Sequence, residues 1–152
     1  MISMGLNLSK GFLHYTVLEG SKSVPTFCDK GRLAFNVDQP SPIMADWFDK
    51  NFRELFIKYK PDRIGYRVSN STNKDVQLQY LIFPWGVLNL ISNSLGIETV
   101  FLTTNKFTHR KFGVQKPFNR MIFIDQKVGS HPPNWNDAQR LSALASLACL
   151  DD

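Results

Sequence analysis

The chain has 152 residues, 43% of them hydrophobic, with 12 Phe and 3 Trp, which argues against disorder and allows one domain, 1–152, around a sizeable core. No apolar run reaches the roughly 18–20 residues of a membrane span, so no membrane partner is expected. A formal charge of +5, from 18 Lys and Arg against 13 Asp and Glu, leans toward an anionic partner without requiring one.

Ile2, Met4, Leu6 and Leu8 alternate with Ser3, Gly5, Asn7 and Ser9, the period of two that marks a strand. Ser9-Lys10-Gly11 supplies a turn, and Phe12 to Leu18 returns antiparallel. Asn7 stands out because it is polar at the end of a strand expected to be buried, where a polar group needs partners or a purpose. Gly20 to Ser23 is a turn, after which either 24–27 or 32–37 carries a third strand.

Pro40-Ser41-Pro42 predicts a helix start, with Ser41 as N-cap and Pro42 at the first helical position. Ile43, Trp47, Phe48, Phe52, Leu55, Phe56 and Tyr59 then recur at helical spacing, predicting a helix over 42–59. Pro61-Asp62 breaks it, and 63–68 reads as a short strand. Residues 69–74, with Gln77, read as a solvated polar loop. A second long helix is predicted over 75–95, interrupted or kinked at Pro84 and stopped by Gly96. A strand follows over 97–103, then a short helix capped by Thr104 or Asn105 and running to about Phe112. The segment 118–128 fits either a strand or one face of a helix. Asn136 or Asp137 opens a final helix to about Leu150. A hairpin meander followed by alternating helices and strands predicts an α/β mixed sheet covered by helices.

Cys28 and Cys149 lack metal-ligand spacing, and the amino terminus lacks the charged region of a signal peptide. Free thiols and a cytoplasmic location are the expectation. His14, His109 and His131 are scattered, no two of them at metal spacing, and read as ordinary surface or strand histidines.

Four local patterns carry a resemblance. Gly5-Leu6-Asn7-Leu8-Ser9 is similar to the opening Gly-Ile-Asp-Pro-Ser of the Holliday-junction-resolvase (RuvC-like) branch of the ribonuclease-H-like superfamily. Lys60-Pro61-Asp62-Arg63-Ile64-Gly65-Tyr66-Arg67 is similar to its Pro-Asp-x-x-x-x-Glu strand. Gly86-Val87-Leu88 through Gly96-Ile97-Glu98-Thr99-Val100 resembles its central helix and following strand, and 137–145 resembles its small-residue closing helix. The chain resembles small single-domain members of the superfamily more than a resolvase proper. The resemblance implies a mixed sheet with its first three strands antiparallel and the strands 63–68 and 97–103 parallel to the first.

The resemblance also implies a nuclease site, in which carboxylates from the first strand, a later strand and the last helix hold two divalent ions. Hard cations favour charged oxygen ligands, and two of them clamp the attacking and leaving oxygens of a phosphodiester. Carried over residue by residue, the three positions fall on Asn7, Arg67 and Asp137. Asn7 offers only a neutral carbonyl, and Arg67 puts a permanent positive charge where a cation would sit. At about 4 Å that repulsion costs about 4 kcal/mol even at an effective dielectric of 20. Asp62 and Asp75, the nearest acids along the chain, lie in the flanking loops. The site therefore reads as degenerate, with no metal and no cofactor. Structural readings stand beside this one: Asn7 bonding backbone at a strand end, Asp137 favoured by the macrodipole of its helix, and Arg67 paired with Asp137.

Five Lys or Arg and three Phe fall within residues 106–120. Lys106, Arg110, Lys111, Lys116 and Arg120 suit contact with phosphates, and the aromatics of the run, Phe107 and Phe112 among them, suit stacking on unpaired bases. The same run also fits a helix with one basic and one apolar face. Three functions remain open: a catalytically degenerate nuclease-fold protein that binds nucleic acid or acts as an adaptor; an active nuclease with an altered site around Asp137, which alone would take Mg or Mn; and a protein-binding module or homodimer through the aromatic helix 42–59.

Overall fold

The computed structural model describes residues 1–69 and 75–152. The polar segment 70–74 lies outside the described residues. Five strands form one mixed sheet: β1 (Ile2–Ser9), β2 (Phe12–Gly20), β3 (Pro25–Ala34), β4 (Arg63–Val68) and β5 (Glu98–Thr103). Their order is β3-β2-β1-β4-β5; β1 to β3 run antiparallel, while β4 pairs parallel with β1 and β5 parallel with β4. The third strand is one continuous element from 25 to 34, not either of the two shorter stretches expected. The parallel pairs are possible because helices, within 41–59 before β4 and within 75–95 before β5, carry the chain back across the sheet.

Helix α1 (Ser41–Tyr59) follows the predicted span, but its N-cap is Pro40 and no side chain caps it. Its buried stripe is Met44, Phe48, Phe52, Leu55 and Phe56, leaving Ile43 exposed. The second helix is broken in two, α2 (Asp75–Leu81) and α3 (Phe83–Leu95), with the break at Ile82 rather than at Pro84. Proline is tolerated in a first turn, where its missing N–H has no helical partner, so the break falls just before it.

The ambiguous segment is helix α4 (Arg120–Val128), because the Asn119 side chain accepts from the Met121 and Ile122 amides at 3.0 and 3.2 Å. The helix expected from 104 to 112 is only a 3-10 turn, Thr104–Lys106. Beyond it the Thr108 hydroxyl accepts the Lys111 amide, a local bond that competes with helical pairing. Helix α5 (Asp137–Cys149) starts as predicted, with Asn136 accepting from the Gln139 amide at 3.0 Å. Among the described residues, no helix is long and apolar enough to cross a membrane.

Both faces of the sheet are covered. The even-numbered residues Met4, Leu6 and Leu8 of β1 and Ile64, Tyr66 and Val68 of β4 join one core cluster with α1 and α3. The odd-numbered residues Ser3, Gly5 and Asn7, paired in register with Arg63, Gly65 and Arg67, lie beneath α5. The polar half of the β1 alternation is thus buried too. A helix can lie this close only where the strands lack side chains. A Cβ on Gly5 would overlap the Ser142 carbonyl oxygen and come within 2.9 Å of the Ser146 Cα, and one on Gly65 would meet the Cys149 Sγ at 2.5 Å.

Small polar groups satisfy each other across this contact. Ser3 and Ser146 hydroxyls pair at 2.7 Å, and Thr16 and Ser142 at 2.6 Å. The Gln139 Nε2 donates to the Tyr15 carbonyl at 2.7 Å and to Thr16 Oγ1 at 3.1 Å. Its Oε1 lies 3.3 Å from His14 Nδ1, and His14 Nε2 lies 2.8 Å from the Ser9 hydroxyl. A carbonyl oxygen can only accept, so Nδ1 carries the proton and Nε2 accepts from Ser9. Such a fully paired layer avoids the cost of burying unpaired polar groups.

Candidate functional site

The three positions carried over from the resemblance converge where β1 and β4 end and α5 begins. Asn7 and Arg67 are direct register partners. The Asn7 side chain, 1% exposed, donates through Nδ2 to the Ala138 carbonyl at 2.9 Å and accepts through Oδ1 from Arg67 Nη1 at 3.2 Å. Both ends of the amide are therefore used, and its buried position has a structural reason.

Arg67 is half-buried, and its Nε donates to Thr104 Oγ1 at 2.8 Å. Arg120, the first residue of α4, donates from Nη1 to the Thr104 carbonyl at 2.9 Å. Two guanidiniums thus share one residue just past the end of β5. Burial, and then the charge of Arg120, lowers the Arg67 pKa from its ordinary value.

Asp137 does not pair with Arg67. Its carboxylate, 75% exposed, lies 3.4 Å from Arg140 Nη1 on the next turn of its own helix. An acid in the first turn of α5 is also what the macrodipole favours. Arg140 is held mainly by Asp125 of α4, with Nε at 2.9 and 3.1 Å from its two oxygens, and Asp125 also accepts from Trp135 Nε1 at 2.6 Å. This pairing draws the Arg140 head toward α4, a contact that no local spacing in the sequence signalled.

The donor set does not suit a divalent ion. It offers an amide oxygen already bonded to a guanidinium, the guanidinium itself, and one exposed carboxylate beside Arg140. Among the described residues no three His, Cys, Asp or Glu side chains come close enough to hold a metal ion.

The basic run 106–120 is divided among separate places. The Lys106 Nζ sits 5.4 Å from the Phe101 ring centre on the outside of β5. Arg110 and Lys111 line a groove of about 650 Å³ with Lys22, Lys127 and Asp152, toward the end of α5 remote from Asn7. Lys116 is exposed. Arg120 alone joins Arg67. Phe107 is 2% exposed and packed against Phe112 with ring centres 6.3 Å apart, so it belongs to the α5-side core and is not presented to a base. Phe118 is half-buried against Phe112 and Phe123, which are themselves half-buried. It shares a cleft of about 380 Å³ with Thr104, Arg120 and Leu141. The sequence marked Thr104 only as a helix cap and Phe118 only as one of the three Phe of the basic run; no local spacing paired either with Arg67.

No protein-family model and no curated protein matches the chain. Solved structures do match. Thermus thermophilus RuvC in complex with Holliday junction substrate superimposes with a TM-score of 0.78 at 8% identity, covering 97% of this chain and 91% of that one. The yeast mitochondrial Holliday junction resolvase Ydc2 matches with a TM-score of 0.70 at 14% identity, over 96% of this chain and 76% of that one. The fowlpox virus Holliday junction resolvase gives 0.54 at 9% identity, over 97% and 92%. The strand order, the mixed pairing and the helix lying over β1 and β4 are thus those of a known architecture, and the chain has the ribonuclease-H-like fold of the RuvC-type Holliday junction resolvases.

Proposed function

We propose that the protein binds nucleic acid through a resolvase fold whose strand-end site does not carry two-metal catalysis. The observation that carries this reading is the Arg67 guanidinium bonded to Asn7 Oδ1. It puts a fixed positive charge and an occupied amide where the chemistry of this fold asks for two carboxylates. Support for nucleic acid as the partner comes from the structural neighbours, which are Holliday junction resolvases, one of them bound to its junction. The net charge of +5 and the basic groove of Lys22, Arg110, Lys111 and Lys127 point the same way.

The test is paired. Purified protein should retain single strands, duplexes or four-way junctions at low salt, with affinity falling as salt rises. It should leave all of them uncut in magnesium or manganese. Metal-dependent cleavage abolished by Asp137→Ala would replace this reading with an active nuclease using an altered site. Absence of binding at low salt would remove the nucleic-acid reading altogether.

A protein-contact role is the second reading, favoured by Ile57 of α1 and Leu90 of α3, which are 73% and 72% exposed. Sedimentation of the purified chain over a range of concentrations separates it from a monomer.

A further inference from the structure

We propose that Arg67 and Arg120 form a seat for one phosphate group, and that the Phe118 cleft beside it takes the unpaired base of the same nucleotide. The proposal deepens the nucleic-acid reading above and rests on it for the identity of the ligand. Two guanidiniums bonded to the same residue repel each other, and the half-burial of both weakens the screening that water would provide. Such a pair is ordinarily offset by a carboxylate, yet among the described residues neither arginine forms an ion pair. The sequence 70–74, Asn-Ser-Thr-Asn-Lys, contains no acid that could serve. The protein bonds use Nε and Nη1 of Arg67 and Nη1 of Arg120, and each guanidinium has five N–H donors in total. Planar forks of this kind match phosphate oxygens better than any other side chain does.

The surroundings fit a nucleotide rather than a bare ion. Thr104 and Arg120 form one part of a cleft whose other walls are Phe118, Met121 and Leu141. At about 380 Å³ it lies at the small end of ligand sites. Phe118 packs against Phe112 and Phe123, with ring centres at 6.2 and 5.3 Å, and also borders this opening. A ring fixed in this way offers a stacking surface at little entropic cost. It stands two residues from Arg120, so phosphate and base contacts come from one short segment.

The experiment measures binding of a fluorescein-labelled single-stranded oligonucleotide and of its duplex, across a salt series, together with the effect of inorganic phosphate on melting temperature. Arg67→Gln and Arg120→Gln are each expected to weaken oligonucleotide binding about tenfold or more and to lower the salt slope by about 0.7 to 0.9. Phe118→Ala is expected to weaken single-strand binding at least about fivefold while leaving duplex binding unchanged, because duplex bases are already stacked. Inorganic phosphate should raise the melting temperature of the natural protein and of neither arginine variant. Arg120 is at the start of α4 and is bonded to a loop carbonyl, so Arg120→Gln keeps the test decisive should Arg67→Gln fail to fold. Strand binding with natural affinity and slope in both arginine variants overturns the seat while sparing the nucleic-acid reading. Phosphate stabilisation that needs both arginines, without any oligonucleotide binding, supports the seat and overturns the reading beneath it. No response to either ligand overturns both, and equal losses on single strand and duplex in Phe118→Ala overturn the base cleft.

Discussion

Replacing Gly5 by Ala tests the idea that α5 is placed by the two strand glycines. The added Cβ overlaps the Ser142 carbonyl and the Ser146 amide, both backbone atoms that no rotamer change can move. Helix α5 must therefore lift or slide, and overpacking of this kind costs about 1–3 kcal/mol. Lifting also stretches the Ser3–Ser146 and Thr16–Ser142 hydroxyl pairs, each worth about 1 kcal/mol net. A total of about 3–5 kcal/mol is expected, which for a chain of this size lowers the melting temperature by roughly 6–20 °C. Thermal and urea unfolding followed by far-ultraviolet circular dichroism would measure it, with the urea slope unchanged if only stability has altered. The control is Gly86→Ala in α3, where an added Cβ meets nothing within 4 Å. There the better helix propensity of Ala should stabilise by about 0.5–1 kcal/mol. A Gly5→Ala protein that melts within about 1 °C of the natural one would refute the close-approach reasoning.

Three further outcomes are expected. Burial holds the His14 pKa below its ordinary 6.5, against the Gln139 bond that raises it and with the Arg32 charge lowering it further. The unfolded chain therefore binds the proton first, so stability is full above about pH 6.5 and falls as pH drops below it; His14→Gln should flatten that limb of a melting-temperature profile between pH 7 and 5. Cys149 sits against Gly65 with its thiol pushed up to about 12 by burial, whereas Cys28 is exposed, so a thiol reagent should modify one cysteine in the native protein and the second only after unfolding. Two fast-reacting thiols would mean that α5 opens readily. Asn7→Asp with Arg67→Glu puts two carboxylates at one register pair, so the variant should melt lower than the natural protein and regain part of the loss in millimolar manganese. A lack of any metal response in a folded variant would show that the strand ends do not approach closely enough for shared coordination.

The sequence by itself determined the elements wherever a local period or a chain breaker decides them. Alternation in 2–9 made β1, the spacing of Phe48, Phe52 and Phe56 made α1, and Asn136 set the start of α5. It also determined the charge at the strand ends, since Arg67 is positive in any packing. A period of two says which residues share a face of a strand, but it cannot say what will cover that face. Asn7 was legible as a buried polar group in need of partners, but what covers it was not; Ser3, Gly5 and Asn7 form the floor beneath α5 because Gly5 and Gly65 leave room for a helix backbone more than a hundred residues away in one case and about eighty in the other. For the same reason His14 sits in the buried layer and not at the surface. Only tertiary structure sorted the basic run, sending Phe107 into the core, Arg110 and Lys111 to the groove beside Lys127, and Arg120 to Arg67. These are distances through space between segments whose sequence separation carries no period, and packing alone fixes them.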